Sequence, residues 1–319
     1  MTLSPAAGRR ARTSIAACAL TLDRPLGLKA LLAGLAAQER PGEDVDIVVV
    51  IIDNDPAGGA RAIIDALRPT FPWDLRYDVE STRGIPFGRN RAVRVAGSVD
   101  FVAFLDDDEV PDRRWLAELW AVQRATAADV VTGTVLPHFE QEPAAWVLEG
   151  RFFERPRFAT GTEITYARTS NVLIGSHVFP RGEARPFNEA MGLNGGDDTH
   201  FFMRARLAGH RIVWADDAIV VEDVPSTRVT VRWLLRREYR RGNTLSLCLR
   251  DLVPSRLRWA RRAVNGTWRI ASGLLLLPPS AIGGKAHAVR ALRRVSLGAG
   301  YLSGLVGMRF DEYTEHHGA

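Results

Sequence analysis

Four consecutive acids, Asp106, Asp107, Asp108 and Glu109, close an apolar run that begins at Phe101. Carboxylates held side by side repel one another unless a cation neutralises them. A hard divalent cation would do so, with oxygen ligands and a substrate phosphate completing its shell. The run Phe101-Val102-Ala103-Phe104-Leu105 reads as a buried strand,. Its acids then fall at the C-terminal end, the edge where open α/β sheets bind ligands. The plainer alternative is a solvated acidic turn, with Pro111-Asp112 opening the next helix. A second pair of acids, Asp197 and Asp198, follows Gly195-Gly196 and opens a helical pattern through Phe201, Phe202 and Met203. The dipole at a helix N-terminus favours an anion. Capping would explain one acid there, but not the pair after a double glycine.

The elements that must position these acids follow from hydrophobic patterning. Thr13 to Leu22 reads as a first strand, ending in Thr21-Leu22-Asp23-Arg24-Pro25, and Leu26 to Gln38 as a helix stopped by Arg40-Pro41-Gly42,. Val45 to Ile52 is nearly all Val and Ile, as a strand buried on both faces requires,. It ends in Asp53-Asn54-Asp55-Pro56. A short helix is predicted over 61–67, a strand over 75–79, a loop over 84–88 and a helix over 89–96. After a helix over 115–127 come strands over 130–136 and 170–174. Between them lies a stretch, 137–168, rich in Pro, Phe, Arg and Gly. Strands over 212–214 and 218–221 complete the sheet. Strands alternating with helices predict a doubly wound, mainly parallel α/β sheet, with three strand ends presenting polar side chains on one rim.

Composition bounds the rest. At 319 residues, 46% hydrophobic and 25% charged, the chain is an ordinary globular protein,. Cys18 and Cys248, far apart in apolar or helical surroundings, make neither a disulfide framework nor a zinc site, which suits a reducing compartment,. Residues 1–12 read as a disordered basic leader without a signal peptide, so the expected location is the cytoplasm. Charge is divided unevenly. Residues 228–319 hold 17 Lys and Arg against 5 Asp and Glu, while residues 1–227 hold 25 against 32. The expected organisation is therefore a leader (1–12), a catalytic domain (13–227) and a basic helical tail (228–319). In the tail, arginines alternate with Trp233, Tyr239, Trp259 and Trp268. Its two apolar stretches, 270–277 and 295–308, are shorter than the roughly 20 residues of a spanning helix, and Pro278-Pro279 is expected to end the first. Two readings stay open: an amphipathic surface on anionic membrane lipid, or a helical cap packed on the body. No recognition motif supports nucleic acid.

The ordered set Thr21-x-x-Arg24-Pro25, Ile47 to Asp55, Arg89-Asn90, Phe104 to Glu109 and Gly195-Gly196-Asp197-Asp198-Thr199 resembles glycosyltransferase family 2. The resemblance spans about residues 13–245. Within the family, Val224-Pro225, Trp233, Arg237 and Arg241-Gly242-Asn243-Thr244 are similar to bacterial exopolysaccharide enzymes of the succinoglycan glucosyltransferase type. It implies a GT-A fold and inverting transfer of a sugar from a nucleotide diphosphate donor, with UDP-sugars favoured. The implied cofactor is Mn2+ or Mg2+. The implied acceptor is a lipid-linked saccharide at the inner face of the plasma membrane. Carried over residue by residue, Thr21, Asp53 and Asp55 would surround the nucleotide. Arg89 and Asn90 would line the donor site, with Arg83 and Asp107 as further donor-side residues. Asp106 and Asp108 would hold the metal, Asp198 would be the general base, and Asp197 would face the acceptor.

The sequence departs from the family pattern at two places. Val221, in Val220-Val221-Glu222-Asp223, stands where relatives often carry a metal-binding histidine, with Glu222 as a possible substitute. The usual Glu-Asp pair is here Asp197-Asp198. His200 reads as a helix-surface histidine. Two competing functions are a nucleotidyltransferase with a similar metal site and an inactive sugar-nucleotide-binding scaffold. The first needs a glycine-rich phosphate loop after the first strand, and 21–25 is not one. Retention of Asp106, Asp108 and Asp198 argues against the second.

Overall fold

The computed structural model describes residues 12–180, 185–192, 195–280 and 283–310. The expected leader lies outside them except for Arg12, which pairs with Asp46 at the start of the sheet. The strands are β1 (Thr13–Thr21), β2 (Val45–Asp53), β3 (Asp74–Val79), β4 (Phe101–Asp106), β5 (Glu109–Pro111), β6 (Val130–Phe139), β7 (Glu163–Ile164), β8 (Val172–Gly175) and β9 (Ile212–Val224). The helices are α1 (Pro25–Ala36), α2 (Arg61–Leu67), α3 (Ile85–Ala96), α4 (Trp115–Thr126), α5 (Ala145–Gly150), α6 (Asp197–Leu207), α7 (Val231–Leu252), α8 (Arg256–Ser280) and α9 (Gly284–Leu305).

The sheet runs β3-β2-β1-β4-β8-β6-β9-β5, with β7 on β9. β1 to β4, β6 and β9 run in one direction, and the short β5, β7 and β8 oppose them. Alternating side chains fill two layers. On one face Ile15, Ala17, Val49 and Ile51 meet Leu28, Leu31 and Leu32 of α1, Ile64 of α2 and Trp115 and Leu119 of α4. On the other, Ala16, Cys18, Val50, Ile52 and Phe104 meet Ala92 and Ala96 of α3 and Phe201 and Phe202 of α6. Helices on both faces force every central strand to be apolar throughout, which the Val and Ile run of β2 already announced. Parallel register brings the strand ends together. Thr21 lies opposite Asp53, and Leu20 opposite Asp106.

Four local expectations need correction. Residues 84–88 are not a loop, because α3 already begins at Ile85. Pro86 sits in its first turn, where the missing N–H has no partner to lose,. Only Gly84 stays outside, at φ +134°, a value that suits glycine,. The two last strands are one, β9, paired along β6 with an irregularity between Gly133 and Thr134 that absorbs the polar Asp216-Asp217. Glu109 belongs to a short strand, β5, paired antiparallel to β9, so the acidic run is split by a turn. α8 continues through Pro278 and Pro279 to Ser280. The two prolines lie in its final turn, near the helix end.

The tail is a helical cap on the body, with one face left open. A Cβ on Gly300 would lie 2.1 Å from the Tyr239 carbonyl oxygen, and one on Gly304 2.4 Å from that of Asn243, so glycine lets α9 lie against α7. Gly298 meets the Gly266 carbonyl of α8 in the same way. Asn243 Nδ2 fixes the α9 end by donating to Ser303 Oγ and the Met308 carbonyl. Leu247 and Cys248 of α7 pack on Met191, and Val289 of α9 joins Leu234, Val147, Phe152 and Phe153. By contrast Leu257, Val264, Trp268 and Leu275 are exposed along α8. Their spacing of seven, four and seven residues keeps them on one stripe.

Candidate active site

The rim formed by the C-terminal ends of β1, β2 and β4 carries the acids, and arginines from four separate segments hold them. Thr21 Oγ1 donates to Asp107 Oδ2 at 3.0 Å. Arg24, just before α1, donates to Asp107 Oδ1 at 2.9 Å and to Asp108 Oδ2 at 3.1 Å. Arg228, after β9, donates to the same Asp108 oxygen at 3.1 Å and lies 3.7 Å from Glu222. Arg155 binds Glu222 and donates to Ser170 Oγ at 2.9 Å. Glu222 is therefore a member of the acidic cluster: the β5–β9 register sets it opposite Glu109.

Arg89 connects this cluster to the second one. It is only 7% exposed, donates to Asp197 Oδ2 at 2.6 Å and lies 3.6 Å from Asp106 Oδ1. The two acid groups, far apart in sequence, thus share one buried guanidinium. The cap of α6 is Gly196, with no side chain involved. So neither Asp197 nor Asp198 serves as the cap. Asp198 is half-buried and accepts from the Thr199 amide and hydroxyl through Oδ1.

Negative charge exceeds what these arginines neutralise. Burial, followed by the neighbouring Asp108, Asp107 and Glu222, pushes Asp106 up to about 7 even against Arg89. Glu109 is 1% exposed and raised well above its ordinary range by burial and then Asp106. One of its oxygens accepts the Asp106 amide at 3.0 Å, while Oε1 is buried without a partner among the described residues. Burial also raises Asp107 and Asp197. An orphaned carboxylate oxygen amid mutually repelling acids is an environment that fits a hard divalent cation. Asp108, Asp107 and Glu222 all lie close enough to Asp106 to raise it.

Next to Glu222, around Arg155, the imbalance is positive. Arg155, Arg168 and Arg237 lie close enough to repel one another. Burial, then Arg155 and Arg168, pushes Arg237 down to about 9, and burial and then Arg155 lower Arg168 as Asp198 opposes them. Arg237 also stacks over Trp233 at 5.2 Å. Like-charged guanidinium groups held together favour a bound anion, and their planar donors match phosphate oxygens.

Not every expected residue points at this cleft. Asp53 uses Oδ1 on the Asp55 amide and Oδ2 on the Ala60 amide and Tyr77 hydroxyl, so its carboxylate builds the loop after β2. Asp55 accepts from the Ala57 amide in that loop. Asn90 holds Phe187 through both of its amide functions and reaches Glu189, fixing the segment before α6. Arg83 is exposed before α3. His200 is not a surface residue. It is 4% exposed, and its Nε2 lies 2.7 Å from Asp251 Oδ2, because α7 covers α6. Sequence reasoning missed Arg155, Arg168 and Arg228 as site residues. The first two lie in the Arg-rich, aperiodic stretch 137–168, and Arg228 counted as tail. It also missed Asn54, which holds the Glu80 and Thr82 carbonyls and the Gly84 amide and so shapes the rim.

The open, mainly parallel sheet with acids and arginines on its rim takes its class from comparison with known proteins. Residues 20–181 match the profile of Glycosyl transferase family 2. The chain belongs to that family. It is 34% identical to the succinoglycan biosynthesis protein ExoM of Rhizobium meliloti (strain 1021) over 297 residues, 91% of this chain and 92% of that one. The fold is shared with the mannosyltransferase PcManGT from Pyrobaculum calidifontis, solved with GDP-Man and Mn2+, at a TM-score of 0.63, 17% identity and coverage of 92% and 87%. It is also shared with S. aureus TarS 1-349 in complex with UDP, at a TM-score of 0.53, 17% identity and coverage of 93% and 92%.

Proposed function

We propose that this glycosyltransferase inverts the anomeric centre, requires Mn2+ or Mg2+, and moves a sugar from a nucleoside diphosphate, UDP-sugars favoured, to a lipid-linked saccharide in exopolysaccharide synthesis. The observation that carries this reading is Arg89, whose single guanidinium holds Asp106 and Asp197 in one cleft. A donor-side carboxylate group and an acceptor-side one then flank a common space.

Asp106 and Asp108, with Glu222, would hold the cation. Bound there, it would act as a Lewis acid on the charge that develops on the departing diphosphate. Arg155, Arg168 and Arg237 supply fixed positive charge for the same oxygens. Thr21, Asp107, Asp53, Asp55 and Arg83 belong to the nucleotide side, the middle three through the loop and rim they build. Asp198 takes the proton of the attacking hydroxyl, and Asp197, kept beside it by Arg89, orients the acceptor. A base on one face of the sugar and a leaving group held on the other give a single displacement with inversion. The Mn2+ and GDP-Man of PcManGT, and the UDP of TarS, support a metal-dependent nucleotide donor.

The tail supports a peripheral place on the cytoplasmic face of an anionic membrane. Among the described residues no helix is long and apolar enough to cross a membrane. The α8 stripe, with Val264 70%, Trp268 62% and Leu275 72% exposed, shares its helix with the exposed Arg258 and Arg261. That pairing of apolar and basic groups suits an interfacial helix.

Calorimetric titration with UDP- and GDP-sugars, with and without Mn2+, tests the donor reading. Metal-dependent binding of one donor is expected. Binding that ignores the metal would overturn the assignment of Asp106 and Asp108.

A further inference from the structure

At the opposite end of the sheet from the acidic cleft, three strand termini converge on a different set of ligating side chains. Asp129 precedes β6, His177 follows β8 and His210 precedes β9, and these strands are neighbours in the order β8-β6-β9. Asp129 Oδ1 lies 2.6 Å from His177 Nε2 and 3.6 Å from His210 Nδ1. One potential ligand atom from each residue falls within 4.8 Å of the others. The two imidazole rings stand 5.8 Å apart at 61°, edge to face.

The surrounding backbone holds this arrangement in place. The other carboxylate oxygen, Asp129 Oδ2, accepts the Arg211 amide at 2.8 Å. The Gly175 amide donates to the Asp129 carbonyl at 2.9 Å, and the Val130 amide to the Arg211 carbonyl at 3.1 Å. The His177 ring folds back over Gly175. A Cβ there would meet ring Cε1 at 2.5 Å and Nδ1 at 2.8 Å, so the ring occupies space that only glycine leaves open. Gly209, at φ +94°, turns the chain out of α6 and sets His210 in position.

We infer that Asp129, His177 and His210 form a zinc site separate from the catalytic cleft, which ties β8, β6 and β9 together at their far ends. Two imidazoles and one carboxylate are a donor set that suits zinc and not a hard cation such as Mg2+. Zinc bonds of 2.0–2.2 Å in tetrahedral geometry place ligand atoms about 3.3 Å apart. The His210–Asp129 separation of 3.6 Å already approaches that value. The His177 hydrogen bond opens by about 0.7 Å as its proton gives way to the ion, on the same geometry. His177 is half exposed, so water can reach a fourth position.

The test is titration of the chelator-treated full-length protein with Zn2+, and with Co2+ as a spectroscopic stand-in, beside the His177→Gln and His210→Ala variants. Thermal melts without metal establish that each variant folds. The wild type is expected to bind one more zinc than either variant. It should show the visible absorption of four-coordinate cobalt, which both variants lose, and zinc should raise its Tm more than theirs. Zinc held elsewhere, the acidic cleft included, cancels in this comparison. Equal stoichiometry, equal cobalt spectra and an equal zinc effect on Tm in all three proteins would overturn the inference.

Discussion

Arg89 is the residue whose removal most directly probes the construction of the cleft. It is buried, and its partner Asp197 is 1% exposed, with Oδ1 already lacking a hydrogen bond among the described residues. In Arg89→Met the apolar volume is roughly kept, but Asp197 loses its 2.6 Å bond and remains a buried, uncompensated carboxylate beside Asp198. Breaking a buried ion pair from one side costs about 3–5 kcal/mol. In a chain of this length each kcal/mol lowers Tm by about 2 °C, so a fall of about 6–10 °C is expected. Asp197→Asn leaves an amide in place of the charge and should rescue that loss. The double variant Arg89→Met, Asp197→Asn is therefore expected to be more stable than Arg89→Met alone, with a coupling of about 1–3 kcal/mol by double-mutant cycle. Thermal melts and urea titrations of the four proteins measure it. A double variant as unstable as Arg89→Met, or a single variant within about 1 kcal/mol of wild type, would refute the argument that Arg89 neutralises Asp197.

Further outcomes follow from the same geometry. Asp198→Asn should retain nucleotide-sugar binding by calorimetry while transfer falls by about 10²–10⁴, the usual worth of a general base. Asp108→Ala should weaken metal-dependent donor binding, and equal loss of donor affinity in both variants would contradict the division of roles. For metal-free protein, Asp106 and Glu109 hold protons when folded that the unfolded chain has released. Stability from these groups is complete below the ordinary carboxylate range and declines as pH rises toward about 7,. Melts across that window should show a shallower decline in Asp106→Asn. On the tail, Trp268→Glu with Leu275→Glu should reduce sedimentation with anionic vesicles and leave Tm within about 1–2 °C, because exposed sites contribute little to stability.

The sheet was legible because buried parallel strands need uninterrupted apolar runs, and β1, β2 and β4 each supply one that ends in polar residues. Boundaries failed where local signals conflicted with packing. Pro86 looked like a loop residue but occupies a helix first turn, and Asp216-Asp217 looked like a strand break but sits on an irregularity within β9. The acids of the cleft could be read because consecutive carboxylates are locally conspicuous. Their partners could not. Arg155, Arg168 and Arg228 are isolated arginines in aperiodic segments, and only antiparallel pairing of β5 with β9 brings Glu222 opposite Glu109. His200 was misjudged because helical position alone does not reveal that α7 lies over it.

The division of charge along the chain takes a different meaning once folded. A boundary at residue 228 leaves an acidic body and a basic tail, and invites the view that the tail's arginines all seek an outside partner. Arg228, the first of them, binds Asp108 in the cleft. Arg237, one turn and a half into α7, stands against Arg155 and Arg168 over the same space. Arg293 pairs with Glu238 inside the cap. Arg258, Arg261 and Arg262 of α8 line a groove with Leu249 of α7 and Tyr301 of α9, Arg262 stacking over Tyr301 while Arg258 and Arg261 stay exposed. The tail therefore divides by element. α7 lines the acidic cleft through Arg237, α9 clamps α7 through glycine contacts, and among the described helices of the tail α8 carries the exposed apolar stripe. Deleting the tail would remove part of the cleft together with the outward face, and loss of transfer in such a truncation could not be assigned to membrane contact. Substitutions confined to the α8 stripe separate the two, since none of those side chains reaches the arginines that face Asp198 and Glu222.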